Sequence, residues 1–373
     1  MSFELVAVEG MKRRDIFALS SNSSLCSNER QNNEHAVPYT SNASSPPNLS
    51  SNQIFFGEKE KEKEKTKVKK NRKNSFDQID FNTSYNQNNN NQNNNNNRNN
   101  NNIIRYQDKN DKHYDQVLDF TEKRFAYAFY ITQEPYLCCA SITAHRLRQW
   151  TDYDIVLIIT ESYSPNPTMM ERLNDIPNLV IKIVPNIQAQ HDDQDHYFWE
   201  SLNKFHVFKL EEYDRIIFLD ADTFVMKNLD HLFALPDVTL AAPMAYWLGT
   251  RPFLTNILMV LKPSVQTFDK IVNASMNHPG WDMDVINDLY VTSDEFLLLP
   301  SIYGMLNVEF STSEKHYFGD DLANTFYNKT FLFHYTGFKP WLDTSECYDV
   351  SGHGDLYAKT WFIWVEEAYK YCI

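Results

Sequence analysis

Two aspartates, Asp220 and Asp222, follow directly on an apolar run from Ile216 to Leu219. Residues two apart in an extended chain point to the same side, so both carboxylates can reach one cation. Oxygen ligands suit Mg2+ or Mn2+, which take one or two carboxylates and complete their coordination with phosphates and water. Carboxylates at a buried strand end also need a counter-charge. The pattern therefore predicts a divalent-cation site at these two residues.

Three other Asp-X-Asp triplets occur in the chain: Asp152/Asp154, Asp193/Asp195 and Asp282/Asp284. Spacing alone is therefore weak evidence for a metal site. We interpret the first two triplets as solvated acidic turns, because aspartate is mostly exposed in folded proteins. The apolar strand that leads into Asp220 is what distinguishes its triplet.

A second group of residues lies in the segment from Phe331 to Trp341. His334 ends an apolar run, Gly337 permits close backbone approach, and Lys339 stands beside the rigid pair Pro340-Trp341. An imidazole can complete a metal shell that carboxylates begin, and a lysine can neutralise charge on a departing phosphate. A single histidine of this kind is more often a half-buried hydrogen-bonding residue. The upstream aspartate pair favours the ligand interpretation.

The elements that must position these side chains alternate between short apolar runs and amphipathic segments. The predicted strands are Phe125–Thr132, Ile155–Thr160, Val180–Val184, Ile216–Leu219 and Ile257–Leu261. The predicted helices are Pro135–Trp150, Pro167–Asn174, Trp199–Glu212 and Val265–Asn277. This alternation predicts an α/β domain with a mostly parallel, mixed sheet flanked by helices. Ligands of such sheets bind beyond the carboxyl ends of the strands.

Glycine is scarce in this chain, with nine residues in 373, and neither a GxGxxG nor a Walker pattern is present. Phosphate binding would therefore depend on a metal and on side chains.

Together these motifs resemble the retaining, nucleotide-sugar-dependent glycosyltransferases of family 8, which include glycogenin. The resemblance covers about Phe125 to Trp341. Its carriers are Tyr130–Tyr136, Lys204–His206, Phe218–Thr223, Val260–Val265, Asp282–Asn287 and His334–Trp341. The variant block that begins at Asp282 looks closer to a branch that includes N-acetylglucosaminyltransferases.

The resemblance implies a GT-A type fold and a Mn2+-dependent enzyme that transfers a sugar from a UDP-sugar to a hydroxyl acceptor with retention. It implies that Asp220, Asp222 and His334 hold the metal. It implies two catalytic residues: Lys339, which contacts the diphosphate, and Asp282, which lies near the sugar and the acceptor. The implied donor-binding residues are Thr132, Gln133, Tyr136, Lys204, Asp220, Ala221, Asp222, Asn256, Gly337 and Lys339.

Three departures put the donated sugar in doubt. Glycogenin-like enzymes have Gly-Asp-Gln where this chain has Trp281-Asp-Met283, and Asn-Ser-Gly where it has Thr255-Asn-Ile257. The closing His-X-X-Gly-X-X-Lys motif is one residue short here. The tyrosine that glycogenin modifies on itself falls on Ser311, so self-priming there is not expected.

The first 120 residues differ in composition from the rest. Fourteen of the seventeen residues from Asn86 to Asn102 are asparagine, and a Lys/Glu run extends from Glu58 to Lys73. Neither stretch has the apolar side chains that would offset the entropy of ordering, so residues 1–120 are expected to be disordered and 121–373 to form the catalytic domain. The latter carry 34 acidic and 18 basic side chains, which argues against nucleic acid as a partner.

The five cysteines have no metal-finger spacing, and their odd number fits free thiols in a reducing compartment. No apolar run reaches the length of a membrane-spanning helix. The expected location is cytoplasmic, with a Golgi-associated protein as the alternative. A homodimer is a further open expectation.

Three alternatives remain at this point. A metal-dependent phosphoesterase could use Asp220, Asp222, Asp282 and His334. A catalytically idle module of the same fold would bind UDP without transferring sugar. The aromatic stripe from Tyr357 to Tyr371 is read as the buried face of a terminal helix, with an acceptor platform as the lesser alternative.

Overall fold

The structure is a computed structural model that describes part of the chain: residues 102–107, 113–118, 123–187, 200–249, 252–276, 278, 280–312, 316–336, 339–341 and 353–372. Several sequence-based expectations lie outside these residues: Gly337, the Asp193/Asp195 triplet, Cys26, Cys347 and nearly all of the segment expected to be disordered. Within that segment two strands are described, β1 (Asn102–Gln107) and β2 (His113–Leu118), which pair antiparallel.

The central sheet has seven strands, in the order β10-β8-β9-β6-β3-β4-β5. Their bounds are β3 Phe125–Ile131, β4 Asp154–Thr160, β5 Leu179–Val184, β6 Arg215–Leu219, β8 Leu240–Pro243, β9 Leu258–Leu261 and β10 Phe296–Leu299. All neighbouring pairs are parallel except the two that β9 makes, with β6 and with β8. The predicted α/β class with a mostly parallel, mixed sheet is confirmed.

Side chains from this sheet fill a core on each face. In β3, Phe125, Tyr127 and Phe129 pack into one buried cluster, and Ala126 and Ala128 pack into the other. This alternation follows from the two-residue repeat of a strand. Because both faces are covered, the strand has no polar face, and its sequence is apolar throughout.

A second, three-stranded sheet supports the carboxyl end of β6. It has the order β11-β12-β7, with β7 Thr223–Val225, β11 Met305–Leu306 and β12 Leu332–His334. β12 pairs antiparallel with β7, and His334 lies opposite Thr223. Sequence patterning did not predict β7 or β11, because strands of two or three residues are too short for a periodic signal.

The helices are α1 Glu134–Leu147, α2 Pro167–Asn174, α3 Val265–Ser275, α4 Asp282–Tyr290, α5 Leu322–Asn324 and α6 Asp355–Tyr371. All five predicted strands match within one residue at each end, and three of the predicted helices match within three residues at each end. The predicted helix from Trp199 to Glu212 was wrong in type over much of its length, since Asn203–Lys209 forms a 3-10 helix. The helix α4 was not predicted.

The structure corrects the expectation of free thiols. Cys138 of α1 and Cys372, just after α6, form a disulfide across 234 positions of sequence, while the buried Cys139 is free. Such a pairing cannot be read from spacing, because it depends on two helices that meet only in the folded chain. None of the helices in the described residues is both long and apolar enough to cross a bilayer.

Candidate active site

A cavity of about 340 Å3 opens where β3 and β6 end. Its size is within the usual range for small-molecule sites. The predicted site residues that the structure describes all line this cavity: Thr132, Gln133, Tyr136, Lys204, Asp220, Ala221, Asp222, Asn256, Asp282, His334 and Lys339. These residues come from six separate regions of the chain, and the fold brings them together.

Asp220 and Asp222 lie in a tight turn between β6 and β7 rather than in an extended strand. The Thr223 backbone N–H donates to the Asp220 carbonyl at 3.1 Å, and the Thr223 hydroxyl donates to the same oxygen at 2.8 Å. We expected an extended chain to point both carboxylates to one side. That reason was wrong, because the two residues lie in a turn. The turn, held by Asp220 N–H to Ile257 O at 2.9 Å, places them side by side instead.

Pairing between β12 and β7 delivers the histidine. Tyr335 N–H donates to the Asp222 carbonyl at 3.0 Å, and His334 Nε2 lies 3.0 Å from Asp222 Oδ1. Each of the three residues Asp220, Asp222 and His334 has a potential ligand atom, and these three atoms lie within 4.8 Å of one another. The three predicted metal ligands are thus adjacent in space.

Two buried atoms of these three residues are suited to bind a further partner, such as a cation. Among the described residues, His334 Nδ1 and Asp220 Oδ1 have no hydrogen-bond partner, although Lys204 Nζ lies 3.0 Å from that oxygen in an ion pair. Two carboxylates and an imidazole are ligands that Mn2+ accepts. The donor set therefore fits a divalent cation.

Asp222 belongs to a cluster with two potential cations, which we call the Asp222 cluster: Asp222, His334 and Lys339. Lys339 Nζ lies 2.5 Å from Asp222 Oδ2, and the Asp222 side chain is buried. Burial raises the pKa of Asp222, but His334 and Lys339 outweigh burial and hold it well below its usual value. Asp222 is therefore ionised at neutral pH.

Asp220 belongs to the opposite arrangement, the Lys204 cluster: Lys204, Asp220 and Asp282. The buried Lys204 Nζ lies 3.0 Å from Asp220 Oδ1 and 2.7 Å from Asp282 Oδ2. Burial lowers the pKa of Lys204, but the two carboxylates hold it well above its usual value. Burial raises the pKa of Asp220 to about 6, with Asp222 adding to the rise and Lys204 opposing it.

Asp282 is held by a second donor as well. Asn256 Nδ2 donates to Asp282 Oδ2 at 2.6 Å, and both residues are buried. A carboxylate that accepts from Lys204 and Asn256 is fixed in place and is poorly placed to remove a proton. This geometry suits orientation of a bound sugar better than general base catalysis.

The residues expected to hold uridine, Thr132, Gln133 and Tyr136, lie at the carboxyl end of β3. Two of them also contact Glu200, a residue that the sequence did not single out. Glu200 Oε2 accepts from Gln133 Nε2 at 2.9 Å and from Thr132 Oγ1 at 3.3 Å. No motif includes Glu200, so only the fold reveals it. Tyr136, in the first turn of α1, faces the Lys339 ammonium at 5.5 Å from its ring centroid.

The terminal helix supports this end of the cavity from behind. Trp341 makes edge contacts with Tyr136 at 6.0 Å and with Tyr335 at 5.5 Å between ring centroids, and it lies 5.4 Å from Trp364 of α6. Trp364 is 8% exposed and packs in a hydrophobic cluster. The predicted buried face of α6 is therefore confirmed at Tyr357, Trp364 and Ala368.

The chain has relatives among known proteins. No family model matches it. Glucose N-acetyltransferase 1 of Gibberella zeae is 33% identical over 211 residues, which cover 51% of this chain and 45% of that protein. The protein of the same name from Aspergillus fumigatus is 27% identical and covers 53% of this chain and 58% of its own length. UDP-glucuronate:xylan alpha-glucuronosyltransferase 1 of Arabidopsis thaliana is 26% identical over 64% of this chain and 35% of that protein.

Solved structures with a similar arrangement include two glycosyltransferases. The WbbM bifunctional glycosyltransferase has a TM-score of 0.49 and 14% identity, over 67% of this chain and 50% of that chain. The galactosyltransferase LgtC, in complex with donor and acceptor sugar analogs, has a TM-score of 0.45 and 16% identity, over 66% of this chain and 96% of that chain.

The sequence relatives match between one half and two thirds of this chain, and between 35% and 58% of their own length lies in the match. The resemblance seen in the motifs is confirmed by them. Over the matched part of its length, the chain is similar to glycosyltransferases of family 8.

Proposed function

We propose that this protein transfers a sugar from a UDP-sugar to a hydroxyl acceptor, with retention at the anomeric carbon and with Mn2+ as its cation. The observation that carries the proposal is the convergence of Asp220, Asp222 and His334 with Lys339 in one cavity. The sequence relatives, which include an enzyme named for a UDP-sugar, support it.

The three ligand residues would hold the cation beside the diphosphate. When bound, a divalent cation supplies positive charge that stabilises the leaving diphosphate. Lys339 would add a second positive charge there, by turning from Asp222 to a phosphate oxygen as the donor enters. Tyr136 offers an aromatic face for the uracil ring at the opposite end of the donor.

The remaining polar side chains would hold the transferred sugar. Lys204 and Asn256 fix the Asp282 carboxylate, which can accept hydrogen bonds from sugar hydroxyls. In the transfer, the acceptor oxygen forms a bond to the anomeric carbon while the bond to the diphosphate oxygen breaks. UDP leaves with the electron pair of the broken bond. The proton of the acceptor hydroxyl passes to a phosphate oxygen of the leaving UDP or to water. Alignment and electrostatic stabilisation are the protein's main contributions.

The experiment is a panel of UDP-sugars with Mn2+, scored for UDP release and for the anomeric configuration of the product. Release from at least one UDP-sugar, lost on chelation and recovered with Mn2+, is expected. Binding of UDP with Mn2+ but no release from any UDP-sugar would favour the idle module. Hydrolysis of a phosphodiester without sugar transfer would favour the phosphoesterase.

The disulfide bears on location. Disulfides persist in oxidising compartments and are rare in the cytosol. Cys138–Cys372 therefore supports the Golgi-associated alternative over the cytoplasmic expectation. Alkylation of the native protein without reduction, followed by mass spectrometry, tests this proposal. Labelled Cys138 and Cys372 would contradict it.

A further inference from the structure

An exposed tryptophan stands at the rim of the donor cavity. Trp281 is 43% exposed and lines the cavity beside Asp282. It is the only tryptophan among the large exposed hydrophobic residues of the described chain. A large aromatic side chain left in water at a cavity rim indicates a binding role.

The backbone of Trp281 is held in place at the start of a helix. Trp281 precedes the first residue of α4, and its N–H donates to Asp284 Oδ2 at 2.8 Å. That contact depends on Gly280, because a Cβ there would lie 2.7 Å from the Asp284 Cβ. The start of α4 is therefore built to fix Trp281 at the rim beside the buried Asp282.

A second tryptophan lines the same cavity from another element. Trp247 is half-buried in the 3-10 turn Tyr246–Leu248, which follows β8. Its ring makes an edge contact with Tyr246 at 5.2 Å between centroids, and the Tyr246 hydroxyl accepts from Leu306 N–H at 3.1 Å. Trp247 is thus anchored through a buried neighbour, and it too presents an aromatic ring to the cavity.

The charges around these rings disfavour anionic acceptors. Carboxylates outnumber ammonium groups in the cavity lining, with Glu200, Asp220, Asp222, Asp282 and Asp284 against Lys204 and Lys339. The donor diphosphate would engage both Lys339 and a bound cation, and Lys204 is already paired with two carboxylates. An acceptor with its own negative charge would therefore meet net repulsion from the remaining carboxylates. Carboxylates can, however, accept hydrogen bonds from neutral hydroxyls.

Self-modification at Ser311 is not favoured either, because this residue is 1% exposed. The acceptor that suits the rim is a separate molecule that is neutral, rich in hydroxyls and able to lie against aromatic rings. A pyranose has these properties, since one face of its ring carries C–H groups and its edge carries hydroxyls.

We propose that Trp247 and Trp281 are acceptor-binding residues and that the acceptor is a neutral glycan whose terminal pyranose stacks on them. This inference rests on the proposed function, because it assigns the second substrate of the same cavity.

The test uses the full chain with Mn2+ and the panel of UDP-sugars, and it measures UDP release with added acceptor probes. The probes are the methyl glycosides of glucose, galactose and mannose, with glycerol and a peptide that contains serine and tyrosine for comparison. We expect saturable acceleration by at least one methyl pyranoside. Trp281→Ala and Trp247→Ala should each raise its half-saturating concentration about tenfold, which is roughly 1.4 kcal/mol. Trp281→Phe should have a smaller effect, because it keeps an aromatic ring.

The control is Trp361→Ala, which removes a half-buried tryptophan of α6 that does not line the cavity. Its half-saturating concentration should match that of the wild type. Acceleration by the peptide alone, or unchanged half-saturation in both cavity variants, would overturn the inference. Calorimetry of UDP binding with Mn2+ separates the two proposals. If UDP binds but no pyranoside accelerates its release, only this inference is contradicted. If UDP does not bind, the proposed function is contradicted as well.

Discussion

Asp220 and Asp222 leave the same strand two residues apart, yet their surroundings push them in opposite directions. Asp222 faces two partners, the His334 imidazole and the Lys339 ammonium, at 3.0 and 2.5 Å. Asp220 shares one lysine, Lys204, with a third carboxylate. Asp222 therefore has a lysine of its own, whereas the Lys204 cluster has two carboxylates for one lysine. The difference shows that adjacency in sequence does not make two ligands equivalent.

Lys339 of the Asp222 cluster suits a place where a diphosphate arrives. The second carboxylate of the Lys204 cluster leaves Asp220 with unbalanced negative charge, which a cation shared with Asp222 and His334 would relieve. Four experiments test whether the two clusters differ in this way.

The largest expected effect is that of Asp222→Asn. It removes a metal ligand and leaves His334 and Lys339 without their counter-charge, so we expect Mn2+-dependent UDP release to fall by about 10^3-fold, roughly 4 kcal/mol, and the thermal midpoint to fall as well. Asp220→Asn should also abolish activity but should keep or raise the midpoint, because it relieves buried negative charge. Release assays and calorimetric unfolding measure both. The exposed Asp152→Asn is the control, and equal midpoint changes in the two variants would contradict the comparison.

Lys204→Met should destabilise the protein by about 3–5 kcal/mol, because it leaves Asp220 and Asp282 buried without a counter-charge. Denaturant unfolding measures this change. Lys209→Met, an exposed lysine of the same 3-10 helix, should change stability little. Adding Asp282→Asn to Lys204→Met should restore part of the loss. A double variant no more stable than the single one would show that the lysine acts by packing instead.

The raised pKa of Asp220 predicts a pH dependence of the metal-free protein. The folded carboxyl titrates near pH 6 and the unfolded one near 4, so the folded state binds this proton more tightly. Its contribution to stability is therefore fully present below about pH 4 and is lost as the pH rises through about 6, by on the order of 2–3 kcal/mol. Unfolding of wild type and Asp220→Asn in chelator from pH 4 to 7 measures it. Parallel stability curves for the two proteins would refute the assigned shift.

Lys339→Ala should lower turnover by about 10^2-fold, roughly 2.7 kcal/mol, while it weakens UDP binding less. The reason is that the lysine would act on charge that develops as the diphosphate leaves. Single-turnover release and calorimetric UDP binding separate the two quantities. The exposed Lys262→Ala serves as control, since its ion pair with Asp237 lies outside the cavity. Equal losses in turnover and binding would contradict this role.

Much of the fold could be predicted because its strands are long enough to carry a signal. β3, β4 and β6 are apolar on both faces, which identifies buried parallel strands from composition alone. The strands β7, β11 and β12 have two or three residues each, and no periodicity can be measured over so short a length. Their pairing is nevertheless what sets His334 opposite Thr223 and so beside Asp222.

The residue types available for chemistry, and their order, can be read from the chain alone: the aspartate pair after β6, the histidine after an apolar run, and the lysine before Pro-Trp. Motif resemblance then identified half of the residues that line the cavity. The different partners of Asp220 and Asp222, the hydrogen bonds from Thr132 and Gln133 to Glu200, and the bond between Cys138 and Cys372 appear only in the folded chain. This is so because charge and contact depend on distance through space, and residues that are far apart in the sequence set these distances once the chain has folded.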